Sequence, residues 1–134
     1  MKKVIKKNWF LKQLNLFILS GFYIIAGVNH FLNPGVYLDL IPPYLPYHIL
    51  LNIVSGVAEI AAGILMLIPS TRKFASILII AMLIAFIPAH IYMIQMEGCV
   101  SEKLCVDEWI AWLRLPLQLI LMWWAWKTYK WMRN

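Results

Sequence analysis

The chain has 134 residues, room for one domain, of which 63% are hydrophobic and 13% charged, with a net charge of +6. A soluble globular domain is nearer roughly 45–50% apolar and about 25% charged, so a soluble fold is excluded and an all-α integral membrane protein is expected. The positive charge is then no sign of nucleic acid: the basic residues sit at the ends of apolar runs, where they set topology and meet anionic membrane lipid.

Residues 1–13 read as a basic amphipathic lead-in, with Trp9 and Phe10 as interface anchors. The apolar run behind them is too long for a secretory h-region and no A-x-A site closes it, so a retained first helix is expected. Spans are predicted over 14–31, 48–68, 74–96 and 109–126, each of a length that crosses a hydrocarbon core of about 30 Å. Together they make a four-transmembrane-helix bundle over 14–126, followed by a basic tail, 127–134. Between the first two spans lies GVNHFLNPGVYLDLIPPYLP, which holds four of the seven prolines: Pro34, Pro42, Pro43 and Pro46. Proline has no N–H and a fixed φ, so a stiff, aromatic-rich loop is expected there, lidding one mouth of the bundle. Between the third and fourth spans, EGCVSEKLCVDE reads as a polar hairpin. Its Cys99 and Cys105 are expected to form a disulfide, as a structural staple or as a redox-active pair; C-x5-C is not the C-x-x-C of thioredoxin-like chemistry.

Ten of the twelve Lys and Arg residues fall on one side of four spans, in the lead-in, at Arg72 and Lys73, and in the tail. The positive-inside rule then places both termini in the cytoplasm of a cell (plasma or inner) membrane, with the proline loop and the cysteine hairpin facing out.

Ionisable side chains within spans are costly and need a partner or a purpose. His30, Glu59, His90 and Arg114 are placed to converge in the outer half of the bundle. Asn52, Ser55 and Glu59 share one helix face, as do Arg114 and Gln118. A polar pocket of His30, Asn52, Glu59, His90, Arg114 and Gln118 is therefore expected, with Glu59 facing Arg114 either as a structural ion pair or as a functional carboxylate. Pro88 and Pro116 each free a carbonyl one turn earlier. Ala81, Ala85 and Ala89, and Ala58 with Ala62, offer close helix approach. The residues show no metal-ligand spacing, nucleotide fingerprint or nucleophile elbow, so no metal or nucleotide is expected and no reaction is named.

GVNHFLNPGVYLDLIPPYLP, SGVAEIAAGILMLIP-x-TR, FIPAHIYM and WLRLPLQLILMWWAW, in that order, resemble the DoxX-like family of small bacterial membrane proteins. The resemblance runs over residues 20–126 and touches His30, Pro34, Tyr37, Pro43, Pro46, Gly56, Glu59, Pro88, Arg114, Pro116 and Gln118. It implies a four-helix bundle and a membrane subunit of a redox or detoxification system, since the family takes its name from a subunit linked to thiosulfate:quinone oxidoreduction. A quinone-like apolar ligand in the outer pocket would follow. Distant relatives include a receptor-assembly chaperone, so the alternative is a non-catalytic assembly or interaction module, packed on another membrane protein or on a second copy of itself. The cysteine hairpin lies outside the family pattern.

Overall fold

The structure is a computed structural model and describes residues 1–133, the side chains of residues 2–5 excepted. Asn134 of the tail and the side chains of Lys2 and Lys3 in the lead-in thus lie outside the described residues. The fold is mostly helical, with α1 (Lys2–Leu32), α2 (Pro34–Leu40), α3 (His48–Leu67), α4 (Arg72–Ala85), α5 (Ile87–Gln95) and α6 (Glu108–Arg133); a two-stranded hairpin of β1 (Cys99–Ser101) and β2 (Leu104–Cys105) separates α5 from α6. Three helical segments, Lys6–Leu32, His48–Leu67 and Pro69–Gln95, are long and apolar enough to cross a membrane. The third is α4 and α5 in line, with a break at Phe86 two residues before Pro88. α6 falls short on apolarity, because Arg114, Gln118, Lys127 and Lys130 lie along it.

The lead-in is continuous with the first span as one helix, α1. The proline loop departs from expectation. Pro34 starts a seven-residue helix, because at the first helical position its missing N–H has no partner to lose and its φ is already helical. Only Ile41–Tyr47 is irregular, ending with Tyr47 in the left-handed region at φ 56°. Pro116 lies inside an unbroken α6.

Glycine sets the closest helix contact, α1 against α3. A Cβ on Gly27 would lie 2.6 Å from the Gly56 carbonyl oxygen, and one on Gly63 would lie 2.6 Å from Ile24 Cγ1 and 2.7 Å from the Ser20 carbonyl oxygen. Backbones that close leave no room for any side chain at these crossings. The alanine stripe divides: Ala81 is exposed on α4, whereas Ala85 and Ala89 line the cavity described below. α3 packs on α4, and α6 packs on α4, α5 and α1. The core is Leu16, Leu19, Tyr23, Ala62, Met66, Ala75 and Ile79, with Ala125 of α6. At the end that carries both termini, Asn15 ties α1 to α6, donating to Thr128 Oγ1 at 2.8 Å and accepting from Trp124 Nε1 at 2.8 Å. Arg72 closes α3 there by donating to the carbonyls of Met66 and Leu67 at 3.0 and 3.2 Å.

Candidate functional site

At the opposite end, α2 and the Ile41–Tyr47 turn lie over a cavity of about 280 Å³. Its lining joins His30 of α1, Asn52, Ser55 and Glu59 of α3, His90 of α5 and Arg114 of α6. Tyr37, Leu40 and Ile41 from the α2 side and Leu45, Leu51 and Phe86 complete a largely apolar wall. The volume is near the lower end of small-molecule pockets, which start at roughly 300 Å³, so a single ring system or a short chain fits.

Five of the six expected pocket residues are brought together. Gln118 is not among the lining residues: it is buried one turn along α6 from Arg114, with Oε1 unpartnered among the described residues. The expected ion pair is also different. Glu59 Oε2 lies 3.3 Å from His30 Nε2, and among the described residues no carboxylate pairs with Arg114. The glycine crossing explains this: it presses the His30 turn of α1 onto α3, whereas α6 stands across the cavity on α4 and α5.

The geometry around His30 decides its tautomer. Asn52 Nδ2 donates to the His30 carbonyl oxygen at 3.1 Å, which turns Asn52 Oδ1 towards the ring, 2.7 Å from Nδ1. Oδ1 can only accept, so Nδ1 carries a hydrogen. Nε2 is then the nitrogen that faces Glu59. The contact lacks hydrogen-bond alignment, and Oε2 has no hydrogen-bond partner among the described residues. His30 and Glu59 are only 6% and 7% exposed. His90 Nδ1 is also buried without a hydrogen-bond partner among the described residues.

Several positioning residues carried no clear signal in the sequence. Tyr37 stacks on the His30 ring, centroids 3.7 Å apart and planes 26° from parallel. Asn29 Nδ2 donates to the Tyr37 hydroxyl at 2.7 Å, and Asn33 Nδ2 to Asn29 Oδ1 at 2.6 Å. Asn29, Asn33 and Tyr37 are four apart in sequence, a spacing that shows their shared face only once Pro34 is read as a helix start. α2 is in turn tied to the hairpin: Ser101 Oγ donates to Asp39 Oδ2 at 2.7 Å. In that hairpin Cys99 and Cys105 are register partners and form a disulfide.

Apolar helices long enough to cross a bilayer, enclosing a cavity with buried ionisable groups at one end, are the marks of a helical membrane protein with a ligand-sized site. The chain belongs to the family described as Domain of unknown function (DUF8561), whose model matches residues 19–129. No curated protein and no solved structure matches it.

Proposed function

We propose that this is a DoxX-like, four-span protein of the plasma or inner membrane, with both termini cytoplasmic, which binds a quinone-like apolar ligand as the membrane subunit of a redox or detoxification system. The observation that carries this is the His30–Glu59 pair in the wall of an apolar cavity. A ligand carbonyl oxygen in the cavity would meet an imidazole and a carboxyl group side by side, a pair able to hold or hand on a proton. Asn52 and Tyr37 hold the imidazole in one tautomer and one plane, and the apolar wall excludes water. At the other end, a groove lined by Trp123, Trp124, Lys127, Lys130 and Trp131 suits anionic lipid headgroups. The test is thermal stability of the detergent-solubilised protein with 2,3-dimethyl-1,4-naphthoquinone. A dose-dependent rise that His30→Ala removes supports the reading, and no rise in the wild type with either this quinone or the ionised 2-hydroxy-1,4-naphthoquinone ends it.

One observation favours a second reading. Ala81 is exposed on α4 between Ile77 and Ile84, where a small residue invites a partner's helix. An assembly or interaction module would co-purify with a second membrane protein, or with another copy of itself, and would lose that association in Ala81→Leu without any response to the naphthoquinone.

A further inference from the structure

The cavity's charge points to its occupant. The chain has six acidic residues. Glu97, Glu102, Asp107 and Glu108 are exposed on and beside the hairpin. Asp39 accepts from Ser101 and is not among the cavity's lining residues. Of the six only Glu59 lines the cavity, and its Oε2 faces His30 Nε2 at 3.3 Å, not Arg114. Arg114 therefore brings a positive charge that no carboxylate among the described residues pairs with, half-buried in a wall that is otherwise mostly apolar. A guanidinium there is expensive to leave unpaired, and its planar fork matches two oxygens of an anion. The orphaned His90 Nδ1, in the same lining, adds a further polar group on that side.

We infer that the cavity selects an amphipathic monoanion: an apolar ring or chain bearing one carboxylate, phenolate or enolate, with the anionic oxygens on Arg114 and the apolar body against Leu45, Leu51 and Phe86. This rests on the reading of the cavity as a ligand site and narrows it, because a neutral quinone would leave Arg114 unpaired.

The experiment compares binding of two probes to the full chain in detergent by titration calorimetry. One is 2-hydroxy-1,4-naphthoquinone, ionised at neutral pH, and the other is neutral 2,3-dimethyl-1,4-naphthoquinone. A second pair, decanoate and 1-decanol, shows whether a ring is required. The anion of at least one pair is expected to bind about tenfold more tightly, the effect of one charge-assisted contact. Arg114→Gln should bring that pair within about twofold, and Arg114→Lys should keep part of the preference. Should Arg114→Gln not fold, the wild-type comparison and Arg114→Lys decide. Equal binding within both pairs, or a preference unchanged in Arg114→Gln, overturns the monoanion and leaves the ligand site standing. No binding of any probe overturns both.

Discussion

At the residue scale, His30 is the side chain on which the site depends. Its ring stacks on Tyr37, its Nδ1 donates to Asn52 and its Nε2 faces Glu59. His30→Ala would leave a buried carboxyl group without its partner, at about 3–5 kcal/mol. Glu59→Gln should cost much less, within about 1.5 kcal/mol, because the new amide can donate to Nε2. Thermal unfolding in detergent should rank them in that order, and the reverse ranking would mean that Glu59 has another partner. Glu59→Gln and Arg114→Leu should have additive effects, since the two side chains make no ion pair; a coupling above about 1 kcal/mol would restore the direct contact. The sequence showed that polar groups must meet inside the spans, because His30, Glu59, His90 and Arg114 interrupt apolar runs and are costly to leave facing lipid. It did not show which pairs meet. That choice depends on how closely α1 and α3 approach, which helix spacing alone does not reveal.

At the element scale, the α1–α3 crossing positions the site. Gly27→Ala has no room for its methyl and should destabilise by about 1–3 kcal/mol. Gly21, on the same helix, has nothing within 4 Å of an added Cβ. Gly21→Ala should therefore be neutral or stabilising by up to about 1 kcal/mol. Equal losses from the two would argue against the crossing. The hairpin is a second positioned element, through Ser101 and Asp39. Its Cys99–Cys105 bridge closes a short loop, so the double change to Ser should cost about 2 kcal/mol at most. Mass spectrometry after alkylation without reductant should find no free thiol, and two alkylated cysteines would refute the bridge. The extents of α3 and of the hairpin were legible, because runs of apolar residues and the C-x5-C spacing mark them directly. α2 was hidden because four prolines read first as helix breakers, and Pro34 begins a helix instead. The alanine stripe was legible as a pattern but not as a direction: Ala85 and Ala89 face the cavity and only Ala81 faces outward.

At the scale of the whole molecule, reporter fusions after Lys73 and after Lys127 should both read cytoplasmic, since ten basic residues fall at or beyond that end of the helices. A periplasmic signal from either would remove the four-span topology. The membrane character was plain from composition, whereas α6 could be read as a span only by tolerating its Arg114 and Gln118. The cavity itself was less legible, because its volume arises where α2, α5 and α6 fail to close over α3. A ligand site beneath α2 is tested most sharply by a density map of the protein purified in mild detergent with 2-hydroxy-1,4-naphthoquinone. Density for one ring system is expected between Arg114 and the His30–Glu59 pair, with Tyr37 still stacked on His30. A cavity collapsed on itself, with Arg114 turned onto Glu59, would contradict the ligand site.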